Sequence, residues 1–255
     1  ILKVIQLLGI NRKYNKKIIK GKVLYSIYNY MQHICRPNSK NGSKKNISSH
    51  YDLGNNFYSK WLDKSMTYSS GIFINKKVDL KTAQENKYEN LCKIIKIQKN
   101  DEVLEVGCGW GGFAEYAAKT YGTKVTGLTI SKKQAEYAKK RIYKQGLNDL
   151  VEIKIMDYRD VTHKYDKIIS IEMFEAVGEK YWPVFFNKLH ENLKDSGLIG
   201  VQLISINNEL YSSYRNNVDF IQKYIFPGGF LPSIEALPQA ASKAKLNMEI
   251  KKSFG

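Results

Sequence analysis

Two carboxylates stand at the end of a greasy run. The stretch IISIEMFEAVGEKYW, residues 168–182, begins as a buried strand and then sets Glu172 and Glu175 among Ile, Met, Phe, Ala and Val. A carboxylate beside apolar surface is costly unless something holds it. A second constellation, VLEVGCGWGG at 103–112, reads as strand, glycine turn and helix start. Gly107 and Gly109 let the backbone pass close to a ligand, and Glu105 places an acid at the turn. The third glycine of a dinucleotide fingerprint is missing at its spacing, and so is the Lys-Ser/Thr of a phosphate loop. The three cysteines, Cys35, Cys92 and Cys108, are widely spaced, and the four histidines do not cluster. That pattern fits neither a disulfide framework nor a zinc site and points to a reducing compartment with no metal.

These residues need a scaffold, and the pattern around them supplies one. Helix 79–97 is expected from Ala83, Leu91, Ile94 and Ile95. Strand 102–107, helix 111–121, strand 124–129, helix 131–145 and strand 151–155 follow, then strand 166–172, helix 179–194 and strand 197–205. Strands alternating with helices imply an α/β fold with a parallel, doubly wound sheet. A further strand is expected over 247–252, for six in all. Between the last two strands lies 207–237, rich in aromatics (Tyr211, Tyr214, Phe220, Tyr224, Phe226, Phe230). In such a sheet an insertion of this kind lies at the ligand-binding edge; it reads as a cover over an apolar substrate, with plain subdomain packing as the alternative.

The 255 residues carry a net charge of +17, and residues 1–50 hold eleven Lys/Arg and no acid. Nucleic acid or an anionic membrane surface could answer that charge; a biased genome is the bland alternative. Residues 1–35 are expected to be helical, and 36–47 (RPNSKNGSKKNI) a polar, turn-rich linker. The division is therefore 1–45, a basic helical segment and linker, and 46–255, the catalytic domain. No apolar run approaches the roughly 20 residues of a membrane span. The chain starts at Ile1 and stops at KSFG, 252–255; it reads as a fragment truncated at both ends, with a final strand missing.

The E-x-G-x-G turn after the first strand resembles the S-adenosylmethionine motif of class I methyltransferases. With it, HYDLGNNFYSKWLDKSMTYSSGIF (50–73), GLTISKKQ (127–134), IEMFEAVGEKYW (171–182) and YIFPGGFLPS (224–233) are similar, in this order, to cyclopropane fatty acid synthases acting on phospholipid acyl chains. The resemblance implies methyl transfer to a cis double bond, a carbocation, and proton loss with ring closure. It implies two cofactors, S-adenosylmethionine and a bound bicarbonate that takes the proton. On the cofactor side it implies Tyr68 and Ser69 of the T-Y-S motif, Glu105, Gly107, Gly109, Thr129, Ser131, Gln134, Asp157 and Tyr158. Ser131 and Gln134 also have capping-box spacing; Asp157 can accept from an adenine amino group. At the reactive side it implies Glu175 as the holder of bicarbonate, with Ser70, Gln202 and the Ile204 amide as co-holders, and Glu172 nearer the cofactor and structural. Ser70 stands where many members have cysteine, and Gln202 where well-known members have histidine; glutamine donates but does not shuttle a proton. The family's site tyrosine lies past the last residue.

The implied partners are unsaturated phospholipid acyl chains and an anionic membrane surface, with no nucleic acid; a homodimer is compatible. The implied location is cytoplasmic, on the inner face of the membrane. Fatty acid C-methylation without ring closure, small-molecule N-methylation, and a binding protein that has lost catalysis remain alternatives.

Overall fold

The computed structural model describes residues 38–254 except Asp52, together with Lys3, Gln6 and Ile10; of Ser48, Ser49 and His50 it describes the backbone only. Apart from those three isolated positions, which are helical, the basic segment expected over 1–35 lies outside the described residues.

Five parallel strands form the centre: β1 Glu102–Val106, β2 Lys124–Thr129, β3 Val151–Ile155, β4 Tyr165–Ile171 and β5 Leu193–Gln202. Their order is β3-β2-β1-β4-β5. The chain builds outward from β1 in one direction and then restarts at β4 on its other side. The switch point therefore falls between the C-terminal ends of β1 and β4, where open α/β sheets bind ligands. The glycine turn follows β1, and the two carboxylates follow β4, so the topology puts both motifs at that cleft.

Helices cover both faces: α1 Lys40–Tyr51, α2 Asn55–Tyr58, α3 Leu80–Ile94, α4 Gly112–Tyr121, α5 Lys132–Lys144, α6 Trp182–Glu191, α7 Asn208–Arg215 and α8 Ala236–Ser242. Local chemistry starts several of them. The Asp79 carboxylate accepts from the Thr82 amide at the head of α3, and the Ser131 hydroxyl from the Gln134 amide at the head of α5, each relieving an orphan donor. Pro183 occupies the first turn of α6, where its missing N–H does no harm.

Side chains of β1 and β4 alternate between two cores, as the pleat dictates. Val103 and Ile169 join Tyr88, Leu91, Phe113, Ala114 and Ile142 under α3, α4 and α5. Leu104 and Ile168 join Phe174, Trp182, Phe185 and Phe186 under α6, together with Phe230 from the 207–237 insertion. A third, aromatic cluster of Tyr58, Met66 and Trp110 collects Tyr51, Tyr68 and Tyr137.

The alternating elements fall where the sequence places them, but three expectations are corrected. The linker expected over 36–47 is helical from Lys40. Its weak local propensity is overridden by docking: the Asn38 amide donates to the Gly228 carbonyl (2.7 Å), and Lys40 pairs with Asp160. The strand expected over 247–252 does not form; Met248 packs on the second core, but apolar alternation without a ladder partner leaves extended chain. Helix 179–194 is a 3₁₀ turn, Glu179–Tyr181, followed by α6, and β5 already begins at Leu193.

Candidate active site

A cavity of about 770 Å³ opens at the switch point, inside the range of small-molecule and cofactor sites. Its floor is the C-terminal ends of β1, β2 and β4. Its walls include Ser43, Ile47 and Tyr51 of α1 and a roof from Tyr214 to Leu231. Twelve of the fourteen site residues read from the sequence line it: Tyr68, Ser69, Ser70, Glu105, Gly107, Gly109, Thr129, Gln134, Asp157, Tyr158, Glu175 and Ile204. Ser131 and Gln202 stand behind the wall and hold residues that line it.

The cofactor half is shaped by backbone. Gly107 has φ 86, and a Cβ there would stand 2.7 Å from Met173 Cγ. Gly109 has φ 52, and a Cβ there would meet nothing within 4 Å. One glycine answers close packing, and the other leaves room for a ligand. Glu105 beside them is fully buried, and its Oε2 has no hydrogen-bond partner among the described residues. Burial pushes its carboxyl up to about 8, against the opposing pull of Lys87 and the Ala114 amide. The Thr129 hydroxyl donates to Gln134 Oε1 (2.8 Å), and the Gln134 side chain also bonds to Tyr51. Cleared glycine backbone, a buried carboxyl group and a fixed carboxamide fit the adenosine and amino-acid parts of S-adenosylmethionine.

Asp157 is more committed than expected. Arg159 grips both its carboxylate oxygens (2.7 and 2.6 Å) and donates onward to the Asn38 carbonyl (3.0 Å) and the Ser43 hydroxyl (3.3 Å). Hydrogen bonding and charge from Arg159 outweigh burial and hold the Asp157 carboxyl below its ordinary range. Asp157 therefore ties the start of α1 across this end of the cavity while lining it.

The reactive half divides its two carboxylates differently from the sequence expectation. Ser70 and Gln202 converge on Glu172, not Glu175. Glu172 accepts from the Ser70 amide (3.0 Å), the Ser70 hydroxyl and Gln202 Nε2 (3.0 Å). Its φ of 48 is left-handed, uncommon for a glutamate and kept only by such surrounding bonds. Glu175, on the 3₁₀ turn Phe174–Ala176, takes only the Ile204 amide of the expected set, at Oε1. Its Oε2 is buried without a partner among the described residues, and burial pushes its carboxyl up to about 7. A group titrating there holds its proton for part of the time at neutral pH and so can donate as well as accept. The rest of this half is apolar: Tyr68 lies between Trp61 (5.2 Å, edge-on) and Phe226 (6.5 Å, stacked).

Sequence reasoning missed Gln84, Lys87 and Arg159. Lys87 is fully buried, and its ammonium donates to Ser69 Oγ (2.5 Å). The signal was present: Lys87 falls midway between Ala83 and Leu91 at helical i,i+4 spacing, on the apolar face of α3. Arg159 carried no such signal, because its role depends on α1 docking from more than a hundred residues away.

Comparison with known proteins gives the family. The family profile described as mycolic acid cyclopropane synthetase matches residues 38–255. The chain is 35% identical to a probable fatty acid methyltransferase of Pseudomonas putida over 84% of this chain and 55% of that protein. It is 40% identical to the cyclopropane-fatty-acyl-phospholipid synthase of Escherichia coli K12 over 81% of this chain and 51% of that one. The chain thus spans about half the length of these curated relatives. The crystal structure of the mycolic acid cyclopropane synthase CmaA1 complexed with SAH and CTAB superposes with a TM-score of 0.73 at 28% identity, covering 79% of this chain and 74% of that one. A glycine turn after β1, two carboxylates after β4 and an aromatic roof over one cavity, matched by profile across all the chain from Asn38 onward, place this protein in the mycolic acid cyclopropane synthetase family of S-adenosylmethionine-dependent methyltransferases.

Proposed function

We propose that the complete protein transfers a methyl or methylene group from S-adenosylmethionine to the cis double bond of an unsaturated phospholipid acyl chain, giving a cyclopropane fatty acid. One observation carries this reading: a single cavity joins a glycine-cleared cofactor half to an apolar, aromatic half that ends on a buried, half-satisfied carboxyl. S-adenosylmethionine supplies an electrophilic methyl when bound. The chain supplies the rest. Trp61, Tyr68 and Phe226 line this half and offer π faces to a cationic intermediate. Glu172, fixed by Ser70 and Gln202, sets the floor between the halves. Glu175, braced by the Ile204 amide, presents its free oxygen to a small anion such as bicarbonate, the base the family resemblance implies. A bare glutamate beside a carbocation risks ester formation; a glutamate that holds the base avoids it. The excess of positive charge suits the anionic lipid surface of the cytoplasmic leaflet, although no helix among the described residues is long and apolar enough to cross a membrane.

Lipid mass spectrometry of cells expressing the complete gene tests the reading. A gain of one CH₂ on monounsaturated chains is expected; unchanged lipids beside an expressed, folded protein would sink it. A second reading, methyl transfer without ring closure, rests on the similarity to a probable fatty acid methyltransferase; in it the cation loses its proton from a neighbouring carbon and leaves an alkene instead of a ring. NMR of the modified chain separates ring from branch.

A further inference from the structure

The mouth of the cavity carries two aromatic lips. Residues that line the cavity and also face solvent mark where it opens: Trp61 (48% exposed) and Leu80 in one segment, Ile221 (50% exposed) in another. Each lip continues outward. On the first, Leu53 and Phe57 are exposed, and the Phe57 ring meets Trp61 edge-on at 6.2 Å. On the second, the rings of Phe220 (65% exposed) and Tyr224 (58% exposed) lie 5.1 Å apart on the π-helical turn Ile221–Ile225 and its approach. Tyr68 joins the two lips, 5.2 Å from Trp61 and 6.5 Å from Phe226. Leu53, Phe57, Trp61, Phe220, Ile221 and Tyr224 belong to none of the three cores. Large apolar side chains kept together in water mark a contact surface.

Charge says what that surface meets. Lys60 and Lys64 flank Trp61, and Lys76 and Lys77 follow the exposed Phe73 and Ile74; all four lysines are exposed. The acids of the same stretch are spent on local backbone. Asp63 accepts from the Ser65 amide (3.0 Å) and hydroxyl (2.7 Å), and Asp79 from the Thr82 amide (2.8 Å). Tryptophan, tyrosine and phenylalanine set among lysines match the boundary layer of an anionic bilayer, where rings sit at headgroup depth and ammonium groups reach the phosphates. The space behind the lips is apolar as well, so the surface they meet and the chain that fills the cavity are of one chemistry. We propose that the two lips, 53–61 and 220–224, dock onto the surface of an anionic phospholipid bilayer, so that the cavity opens into the leaflet and an acyl chain enters between Trp61 and Ile221. Such a chain is never drawn through water, where each of its methylenes would be exposed. The inference rests on the lipid reading above and gives that reading its point of entry.

Tryptophan fluorescence of the full chain tests it. Trp110 and Trp182 are buried, so Trp61 is the exposed indole of the three. The probe is a vesicle of phosphatidylglycerol and phosphatidylethanolamine with acyl chains brominated near the headgroup. Emission should shift to the blue and be quenched; Trp61→Phe should remove both changes while the protein still sediments with the vesicles. Phosphatidylcholine vesicles should bind about tenfold more weakly or worse, and added salt should weaken binding to the anionic ones. Phe220→Ser combined with Tyr224→Ser should lower vesicle affinity about tenfold, and Phe57→Ser alone about fivefold. These positions lie outside the cores, so thermal unfolding should not move. Sedimentation without quenching of Trp61 would put the contact elsewhere on the chain, on its basic first fifty residues, and overturn the docking face. Unchanged affinity in both lip variants would do the same, as would a chain that pairs with a second copy through the lips and ignores vesicles. Intact docking with unmodified lipids in cells would instead strike the proposed reaction and leave the docking face standing.

Discussion

The two halves of the cavity are built by different means. The cofactor half, at β1 and β2, is made from short stretches whose geometry is local: a glycine turn with φ 86 and 52, a capped helix start, a threonine that bonds a glutamine five residues on. The reactive half, at β4 and β5, is assembled from distant pieces. Ser70 meets Glu172 across 102 positions, Gln202 meets Glu172 across 30, and Ile204 meets Glu175 across 29. Local geometry can be written into a motif, whereas convergence has to be produced by the whole fold. The first half is therefore the more legible of the two in a linear sequence.

The comparison breaks first at Gly107. Gly107→Ala combines a positive φ with a Cβ placed 2.7 Å from Met173. It should abolish measurable S-adenosylhomocysteine binding, a loss of about a hundredfold or more, with the circular dichroism of the sheet retained. Near-normal binding would show that the turn can relax and is not what clears the cofactor half.

Glu175→Gln tests the reactive half in isolation. In the complete protein, turnover should fall about a hundredfold while S-adenosylhomocysteine affinity stays within a few-fold. Parallel loss of both would put Glu175 in the cofactor half and erase the division.

A smaller effect is expected where α1 docks beside the segment that follows β3. Arg159→Met strands the buried Asp157 carboxylate and frees α1, costing on the order of 2 kcal/mol. Hydrogen exchange should accelerate across 40–51 and leave β1 to β5 protected; uniform acceleration would mean that α1 is not separately held by this clamp.

The mildest effect is in pH. Burial lifts the Glu175 carboxyl from its ordinary 4.5 to about 7. A raised acid contributes its stability fully below the unfolded value and loses it as pH rises through the folded one. Glu175→Gln is immune to that loss. The variant should gain on wild type in Tm as pH rises from about 4.5 to about 8, and the gap should close toward about pH 4.5. A pH-independent difference in Tm would mean that Glu175 is not desolvated.

Much of this was legible in the chain. β2 and β3 fall on their expected residues, and the hydroxyl cap of α5 was visible as Ser131 followed by Gln134. What was not legible has one cause. α1 reads as linker because its own residues favour turns, and it is helical because Asn38, Lys40 and Ser43 find partners on Gly228, Asp160 and Arg159. The 247–252 alternation reads as strand and is not one, because a strand exists only where a neighbour completes its hydrogen bonds.

By itself, the sequence determined which chemistry the chain carries: a glycine turn for a cofactor, two carboxylates in an apolar setting and an aromatic-rich insertion. Periodicity and turn residues act over one element, so they survive being read in one dimension. Only the tertiary structure decided how each carboxylate is held. Glu172 and Glu175 are three residues apart and chemically identical in the sequence. One is clamped by Ser70 and Gln202, and the other keeps a buried oxygen with no partner among the described residues. Burial and partnership, which set the charge and reactivity of a carboxyl group, are properties of the space around it and not of its place in the chain.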